Sequence, residues 1–467
     1  MGISRRDALR AGVAAAALGA VNISAKEEKS SKGYFCEEIA TALPRKKKDH
    51  PRVVVVGGGW AGLSFAKELK INVPHADVIL VEQRFEFMSC PMSNLWLVDK
   101  IELDYLMHDY LQAARENNYT YFQASATGID KKRKLLKTSN GSIEYDYLVL
   151  APGIDYDYDL WTHGDKELET RLRNEYPAAF MPGSEHMTLK KKIHNFKGGT
   201  FVLTVPRGNY RCLPAPYERA CLIADYFKTN GIKGKVLLLD EHEGITIKDH
   251  GFSTAFNELY KEYLHYEPNA VIQHIDLDRK VIKTEFDEWH FDDAALYPPV
   301  RAGRIIEILG LAKDTIYNRK EANIDIFTYE AKGAENKNIF VCGDARPMGF
   351  SKSGNTSNTE GKNVAREVAA RILGKKHEWE SPVTVCISDV SFKPERGIFI
   401  HSEYEFNPKT NQFQFATPVT DEVWKGQEGL NNAQAVYGWA ESMYADMFQG
   451  GFTKGYVPLA PSERDKK

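Results

Sequence analysis

The sequence lacks several features that are typical of metal-binding, nucleic-acid-binding and integral membrane proteins. Its six cysteines lie far apart and form no CxxC motif, so the pattern indicates neither a zinc site nor an iron–sulfur cluster. A net charge of −3 gives no basic excess to neutralise phosphates, which excludes a general nucleic-acid binder. Beyond the N-terminal segment, no apolar run approaches the roughly 20 residues that span a bilayer. We therefore predict no integral membrane segment in the mature chain.

The N-terminal segment has the composition of an export signal. The pair Arg5-Arg6 precedes an apolar run rich in alanine and glycine over residues 11–20. An arginine pair followed by a weakly hydrophobic run is typical of the twin-arginine route. We predict a signal peptide over residues 1–25, a linker over 26–50 and a periplasmic mature protein. The alternative is a chance arginine pair in front of an ordinary amphipathic helix.

A complete dinucleotide-binding unit follows the linker. The valine run Val53–Val56 predicts a buried parallel strand, and it leads directly into a GxGxxG loop. In such a loop Gly57 allows the tight turn, Gly59 lets the backbone approach a pyrophosphate, and Gly62 lets the helix pack on the strand. The helix N-terminus offers free N–H groups to the phosphates. Glu82 ends the next apolar strand, where its carboxylate can accept hydrogen bonds from the ribose hydroxyls.

Two later motifs favour FAD over NAD as the bound dinucleotide. Residues 145–153 predict a strand that ends in the small-residue turn Ala151-Pro152-Gly153. Residues 338–345 repeat this pattern of strand and turn, with Gly343-Asp344 at the turn. In flavoproteins with two dinucleotide-binding domains, this Asp accepts a hydrogen bond from the ribityl chain. The helix that follows it directs its positive end at the flavin. We therefore predict FAD.

The middle of the chain carries a second α/β pattern without a second glycine loop. The apolar strand that ends at Val205 is followed by residues 206–212, which contain no GxGxxG. Without those glycines the backbone cannot approach a second pyrophosphate closely. We therefore predict no nicotinamide site, and no NADH as electron donor.

The order of these patterns predicts an α/β fold with two Rossmann-like domains and a smaller α+β C-terminal domain. The boundaries that we predict are a discontinuous FAD-binding domain over residues 51–160 and 296–378, a second Rossmann-like domain over 161–295, and the C-terminal domain over 379–467.

Taken together, these motifs resemble the flavoprotein subunit of flavocytochrome c sulfide dehydrogenase, from about residue 51 to residue 452. The likeness is most specific at 210–220, 298–303, 343–345 with 352–354, and 439–448. The resemblance implies periplasmic oxidation of sulfide by FAD through a redox-active disulfide, with electrons passed to a c-type cytochrome. Because the chain has no CxxCH motif, the haem would belong to a separate cytochrome subunit.

The redox-active disulfide implied by the resemblance joins Cys212 to Cys386. Sulfide would attack one sulfur of that bond, and the released thiolate would pass two electrons to the flavin. The resemblance also places Glu218 near the disulfide as a catalytic acid that moves protons. From the residues alone, six cysteines allow fifteen pairings, so the pairs Cys212–Cys342 and Cys212–Cys221 stay open.

A covalent flavin link is the last feature that the resemblance implies. Cys90 matches the cysteine that forms a thioether to the flavin, although Pro91-Met92 departs from the family pattern. We predict no metal site. The cofactor-binding residues that we predict are Gly57, Gly59, Trp60, Ala61, Gly62, Glu82, Gln83, Cys90, Asn94, Ala126, Ala151, Gly153, Gly343, Asp344 and Lys352.

Two other functions stay open at this stage. The first is a sulfide:quinone oxidoreductase, a relative with a similar cysteine pair, which the polar stretch 460–467 and the export signal disfavour. The second is a non-catalytic flavin subunit that transfers electrons or carries sulfur.

Overall fold

The structure is a computed structural model that describes residues 41–45, 47 and 49–450 of the 467-residue chain. The predicted signal peptide, most of the predicted linker with Cys36, and residues 451–467 lie outside the described residues. The described residues from Ala42 to Gly450 belong to one compact unit.

The strands in chain order are β1 (Arg52–Val56), β2 (Asp77–Glu82), β3 (Glu86–Met88), β4 (Met107–Asp109), β5 (Thr120–Gln123), β6 (Ala126–Asp130), β7 (Leu135–Thr138), β8 (Gly141–Glu144), β9 (Tyr147–Leu150), β10 (Ile154–Tyr156), β11 (Gly198–Val205), β12 (Lys233–Asp240), β13 (Leu264–Glu267), β14 (Ile272–Asp276), β15 (Val281–Thr284), β16 (Glu288–His290), β17 (Asp293–Ala295), β18 (Val300–Ala302), β19 (Ala312–Lys313), β20 (Glu321–Ala322), β21 (Ile339–Val341), β22 (Thr384–Phe392), β23 (Glu395–Ser402), β24 (Tyr404–Asn407), β25 (Gln412–Phe415) and β26 (Val419–Asp421).

The helices are α1 (Trp60–Asn72), α2 (Ser93–Leu97), α3 (Tyr110–Glu116), α4 (Asp159–Thr162), α5 (Lys166–Glu175), α6 (Ser184–Asn195), α7 (Ala215–Thr229), α8 (Asp249–Leu259), α9 (Ile305–Ile308), α10 (Gly354–Ile372) and α11 (Gly426–Phe448). Short 3-10 turns occur at Leu103–Leu106, Ala334–Asn336 and Gly343–Ala345.

The first sheet is built on the valine run of β1. Its strands are parallel, in the order β21-β9-β1-β2-β5, and β1 is buried on both faces, as a run of β-branched residues requires. Strand β21 pairs with β9 in this sheet, although strands β11–β13 and β17, which form a second sheet, lie between them in the sequence. Helices α1 and α10 pack against each other beside the sheet. The loops at the carboxyl ends of β1, β9 and β21 therefore meet at one edge, where open α/β sheets bind ligands.

The second sheet is parallel as well, in the order β13-β12-β11-β17, and helix α7 packs on β12 and β11. The third is antiparallel, in the order β22-β23-β26, and helix α11 packs on β22 and β23. Strand β22 is the edge of the third sheet and packs against α7. This contact brings the C-terminal part of the chain to the start of α7.

The predicted fold class is confirmed: the protein is a mixed α/β structure with Rossmann-like sheets and an additional C-terminal part. The domain boundaries stay predictions. No helix was predicted from the sequence for residues 426–448, where the structure has α11. Gly429 and Gly438 lie inside this helix and weaken its local helix signal, so packing on the third sheet stabilises it. Within the described residues, we find no helix with the length and apolar character that crossing a membrane requires.

Candidate active site

The glycine loop between β1 and α1 is closed by contacts that only glycine permits. Gly57 has a φ of +105°, and a Cβ atom on it would lie 2.3 Å from the carbonyl oxygen of Ala151. A Cβ atom on Gly62 would lie 1.9 Å from the carbonyl oxygen of Gly57. Gly59 is different, because a Cβ atom there would meet no protein atom within 4 Å. Gly59 instead faces a cavity, so the space beside it is available for a ligand.

Glu82 holds this loop from the end of β2. Its carboxylate is buried and accepts hydrogen bonds from the backbone N–H of Gly58, at 2.8 Å, and of Arg84, at 2.9 Å. Each carboxylate oxygen keeps a second lone pair, and Glu82 lines the same cavity as Gly59. The residue is therefore placed to accept from ribose hydroxyls while it braces the loop.

Asp344 lines the same cavity, in the 3-10 turn after β21. Its carboxylate accepts from the Nε of Arg211, at 2.7 Å, and from the hydroxyl of Ser357, at 3.1 Å. Arg211 also donates to the carbonyl oxygen of Phe180, at 2.9 Å. Arg211 immediately precedes Cys212, so this ion pair ties the Gly-Asp turn to the cysteine loop. Arg211 was not among the site residues predicted from the sequence, although its position in the stretch 210–220, which resembles the family, was a usable signal.

One cavity joins these elements. It contains about 1560 Å³ free of protein atoms, part of it open to solvent, and it extends from the glycine loop to Cys212 and Cys386. The glycine loop and the N-terminus of α1 offer N–H groups to the phosphates of a dinucleotide. The carboxylate of Glu82 offers acceptors to its ribose hydroxyls. The predicted residues that line it are Gly57, Gly59, Trp60, Ala61, Glu82, Cys90, Asn94, Ala151, Gly153, Cys212, Glu218, Gly343, Asp344 and Cys386.

Four residues predicted to bind the cofactor do not line the cavity. Gly62 packs on Gly57 within the first turn of α1. The Gln83 side chain contacts the hydroxyl of Ser125, and Ala126 belongs to β6. The Nζ of Lys352 is buried against Glu321 (2.9 Å) and the carbonyl oxygen of Asp344 (2.6 Å). Lys352 therefore supports the Gly-Asp turn from behind rather than from within the cavity.

The structure brings Cys212 and Cys386 together. Both are free thiols in this structure, and their sulfur atoms lie within hydrogen-bonding reach of each other. Cys212 has a φ of +58°, and its N–H donates to the carbonyl oxygen of Lys352 at 2.7 Å. This left-handed conformation is uncommon for a non-glycine residue, and the hydrogen bond to Lys352 stabilises it here. Cys221 and Cys342, the alternative partners, are fully buried in α7 and after β21.

The two thiols differ in acidity. The hydrogen bond from Cys212, together with the positive charge of Lys248 and a contact to Ser388, lowers the pKa of Cys386 to about 6 against the opposing effect of burial. The same hydrogen bond, together with burial, raises the pKa of Cys212 well above its usual value. Cys386 is therefore the sulfur that carries a thiolate near neutral pH.

Lys248 is a site residue that the sequence analysis missed. It precedes α8, it is buried, and its Nζ donates to the hydroxyl of Ser388 (2.7 Å) and the carbonyl oxygen of Cys386 (3.3 Å). It lies far from Cys386 in the sequence, in a loop with no motif. No sequence signal could therefore connect the two residues.

We expect Lys248→Met to raise the pKa of the Cys386 thiol by about one pH unit, because a neighbouring cation stabilises the thiolate. The measurement is the pH dependence of alkylation of Cys386 in the reduced protein, followed by peptide mass spectrometry. Lys248→Arg keeps the charge and is the matched control, with the midpoint near the wild-type value. An unchanged midpoint in Lys248→Met would contradict the assignment.

Glu218 lies in the first turn of α7 and faces the cysteine pair. One carboxylate oxygen accepts from Asn94 Nδ2, at 2.7 Å, and the other accepts from the N–H of Asp389, at 2.9 Å. Burial, followed by the nearby charge of Cys386, raises the pKa of Glu218 to about 7. A carboxyl group with this pKa can both accept and release a proton near neutrality.

Cys90 lines the cavity at another point. Its Sγ contacts the carbonyl oxygen of Phe180 at 3.6 Å, and burial raises the pKa of its thiol to about 11. Met92, two residues on, has a φ of +71°, so the chain turns sharply after the cysteine. The location is compatible with a ligand contact, and the thioether link to FAD stays a prediction.

Helix α11 contributes apolar side chains to the wall of the cavity. Trp439 stacks on Trp60, with ring centroids 6.2 Å apart, and its indole N–H donates to Asn355 at 2.9 Å. Val436 and Ile387 line the same region. Within the described ranges, no cluster of three or more His, Cys, Asp or Glu residues forms a metal site.

Two family models match the chain. Residues 186–297 match the central part of the flavoprotein chain of sulfide dehydrogenase (flavocytochrome c), and residues 51–179 match pyridine nucleotide-disulphide oxidoreductase. The sulfide dehydrogenase (flavocytochrome c) flavoprotein chain of Chlorobaculum thiosulfatiphilum is 54% identical over 43 residues, which are 9% of this chain and 90% of that one.

Other relatives are sulfide:quinone oxidoreductases. The mitochondrial enzyme of Dictyostelium discoideum is 27% identical over 42% of this chain, and that of Mus musculus is 24% identical over 59%. The matches span only 42% and 65% of the lengths of those two proteins. Among solved structures, the sulfide:quinone oxidoreductase of Aquifex aeolicus superposes with a TM-score of 0.69 at 16% identity, covering 86% of this chain and 93% of that one. That likeness concerns the fold. With the geometry of the glycine loop, the comparisons show that the chain binds FAD.

Proposed function

We propose that this protein oxidises sulfide through a disulfide between Cys212 and Cys386. The chain belongs to the family of flavoprotein chains of flavocytochrome c sulfide dehydrogenase, and this membership supports the proposal. The single observation that carries the proposal is the placement of these two cysteines side by side on the wall of the FAD cavity. The two residues are 174 positions apart in the sequence (386 − 212 = 174), and only the packing of β22 on α7 brings them together.

The acidities of the thiols set the direction of the first step. Hydrosulfide attacks the Cys212 sulfur of the disulfide, a new S–S bond forms there, and the old bond breaks so that Cys386 leaves as a thiolate. Cys386 is the better leaving group because its pKa is lowered to about 6, and Lys248 stabilises the charge that develops on it. Cys212 then carries a persulfide.

Glu218 is the residue that accepts the proton released by hydrosulfide. Each hydrosulfide gives up two electrons and one proton as its sulfur reaches the zero-valent level, whatever form the product takes. When bound, FAD supplies the acceptor of the two electrons. The Glu218 carboxylate faces both cysteines and accepts the proton, while Asn94 and the N–H of Asp389 hold it in position.

The second part of the proposal concerns the electron acceptor that reoxidises the flavin. We propose a separate c-type cytochrome subunit in the periplasm. This rests on family membership, on the export signal predicted from the sequence, and on the lack of CxxCH in the chain. The relatives that are sulfide:quinone oxidoreductases favour a quinone as the second candidate acceptor.

Anaerobic mixing tests the proposal. Sulfide is expected to bleach the oxidised flavin absorbance within one turnover, and NADH is expected to leave it unchanged. Adding a c-type cytochrome or a short-chain quinone to the reduced protein then compares the two acceptors. Flavin that stays oxidised in excess sulfide would contradict the proposed function, and faster reoxidation by the quinone would favour the second candidate.

We expect Glu218→Gln to slow the bleaching by about 100-fold at pH 8, because the amide cannot accept a proton. Glu218 in the wild type becomes ionised as the pH rises through about 7, so the benefit of the carboxylate is present above that pH and lost below it. Sulfide also ionises near neutrality, and the ratio of wild-type to variant rates removes this contribution. That ratio is expected to rise between pH 6 and pH 8, and a ratio that does not change with pH would exclude Glu218 as the base.

A further inference from the structure

Arg219 is a buried cation in α7 that the proposed chemistry does not use. It is 2% exposed and lines the FAD cavity, one residue beyond Glu218. It donates to the side-chain oxygen of Asn94 and to the carbonyl oxygens of Ala178 and Ala179, and within the described ranges no carboxylate forms an ion pair with it. Burying a charge among neutral acceptors is costly, so the position of this cation calls for a functional reason.

The contact with Arg219 fixes the direction in which the Asn94 amide points. A guanidinium group can only donate, so the amide oxygen must face the Arg219 Nε, at 2.9 Å. The amide nitrogen lies on the other side, where it donates to Glu218 at 2.7 Å and to the carbonyl oxygen of Ala215 at 3.2 Å. Asn94 therefore presents an N–H group to Glu218, and not its oxygen.

Glu218 is held between two groups that donate to it. Asn94 donates to one carboxylate oxygen, and the backbone N–H of Asp389 donates to the other at 2.9 Å. Both donors stabilise the ionised carboxylate, so they lower the pKa of Glu218 against the opposing effect of burial. If the amide were reversed, its oxygen would face a Glu218 oxygen, and only a protonated carboxyl group could bond to it. The direction of the Asn94 amide therefore decides whether Glu218 is ready to accept a proton.

The charged and titratable groups that act on Glu218 directly are a separate set. They are Cys212 before α7, Cys221 in α7, Lys248 before α8, and Cys386 and Asp389 on β22. Apart from Glu218 itself, Arg219 is the charged residue that hydrogen-bonds to the Asn94 amide in the described part of the chain. The cation that acts on Asn94 can therefore be changed while the charges around Glu218 stay in place.

We propose that Arg219 is a positioning residue for Glu218 and acts through Asn94. The cation holds the amide in the orientation in which Asn94 donates to Glu218, and this keeps the carboxylate in place as a proton acceptor. Without the cation the amide can reverse, and Glu218 then keeps its proton at a pH at which the wild type has lost it. The inference rests on the proposed function, in which Glu218 accepts the proton from hydrosulfide.

Arg219→Met in the full FAD-loaded chain tests this role. The measurement is the infrared carbonyl band of protonated Glu218, obtained at each pH as the difference from the same protein with Glu218→Gln added. We expect the band to be lost with a midpoint near pH 7 in the wild type. In Arg219→Met we expect a midpoint about one pH unit higher, which is a tenfold change in the acid dissociation constant.

Arg219→Gln is a second variant with the same expected rise. Its amide can still donate to the carbonyl oxygens of Ala178 and Ala179, but it lacks the charge that fixes Asn94. It takes the place of Arg219→Met in every comparison if the methionine variant does not fold.

A double variant tests whether Arg219 acts through Asn94. Asn94→Leu removes the donor itself and is expected to raise the midpoint to a similar extent. Arg219→Met combined with Asn94→Leu is expected to give no larger rise than Asn94→Leu alone, because both changes remove the same interaction. Tyr156→Phe is the matched control for loosening of the loop that Arg219 also holds. The Tyr156 hydroxyl accepts from the N–H groups of Phe180 and Met181, at 2.9 and 3.1 Å, so its loss loosens this loop and is expected to leave the midpoint near pH 7.

Bleaching of the flavin by sulfide gives the same comparison during the reaction. The ratio of the rates without and with Glu218→Gln is expected to rise about one pH unit later in Arg219→Met than in the wild type. A wild type that sulfide does not bleach would contradict the proposed function, and the infrared midpoints, measured without sulfide, would then decide this inference alone. An unchanged midpoint in the Arg219 variants, rises that add in the double variant, or an equal rise in Tyr156→Phe would each overturn it.

Discussion

Replacing either Cys212 or Cys386 with serine is expected to slow the bleaching of the flavin by sulfide by about 10³-fold or more, because a covalent step loses its reacting atom. Serine keeps the volume and the backbone at both positions but cannot form the disulfide that sulfide attacks. The FAD cavity keeps its shape, so each variant is expected to bind the normal amount of flavin. Dithionite, which needs no disulfide, is expected to bleach the flavin in both variants.

Cys221→Ala is the matched control for this pair. Cys221 lies on α7 together with Glu218 and is fully buried among apolar side chains, away from the cavity. Its replacement with alanine is expected to leave the rate with sulfide close to that of the wild type. A Cys212→Ser or Cys386→Ser variant that sulfide bleaches at the normal rate would show that the disulfide is not on the path of the electrons.

Gly59→Ala is expected to weaken FAD binding by about 100-fold, or roughly 3 kcal/mol, without unfolding the chain. Gly59 has an extended backbone conformation that alanine adopts freely, and no protein atom lies within 4 Å of the added Cβ. The methyl group would instead occupy the space that the pyrophosphate needs. The measurements are the molar ratio of flavin to protein after gel filtration and the thermal unfolding of the chain.

Two other glycines provide the comparison. Gly62→Ala places its Cβ 1.9 Å from the carbonyl oxygen of Gly57, so it is expected to lower the free energy of unfolding as well as the flavin content. Gly244→Ala meets no atom within 4 Å and lies in a loop outside the cavity, so both quantities are expected to stay at wild-type values. Normal flavin content in Gly59→Ala would place the cofactor elsewhere.

The part of the site that could be predicted from the sequence is the part that local structure determines. Val53–Val56, the glycine loop and Glu82 form one continuous unit, and each residue in it has a role set by the turn itself. The Gly343-Asp344 turn was found in the same way, because the strand that precedes it has a clear apolar pattern. Of these residues, Gly57, Gly59, Glu82, Gly343 and Asp344 line the cavity.

The catalytic centre is different, because it is assembled by packing between distant segments. Residue spacing gave no reason to pair Cys212 with Cys386, and only the resemblance to a known family selected that pair from the alternatives. Lys248 has no motif around it, and its role depends on its contact with Ser388 on β22. Lys352 was selected within a family-like stretch, but its side chain turns away from the cavity to Glu321. Side-chain direction of this kind follows from tertiary contacts and leaves no signal in the sequence.

Peptide mapping under non-reducing conditions tests the central claim most directly. The air-oxidised protein is digested before and after one equivalent of sulfide is added anaerobically, while the flavin absorbance is recorded on the same sample. The account predicts a cross-linked peptide with Cys212 and Cys386 in the oxidised protein, and its loss in step with the bleaching of the flavin. The account would be contradicted by bleaching while both cysteines are free thiols from the start, or while Cys212 is joined to a different cysteine.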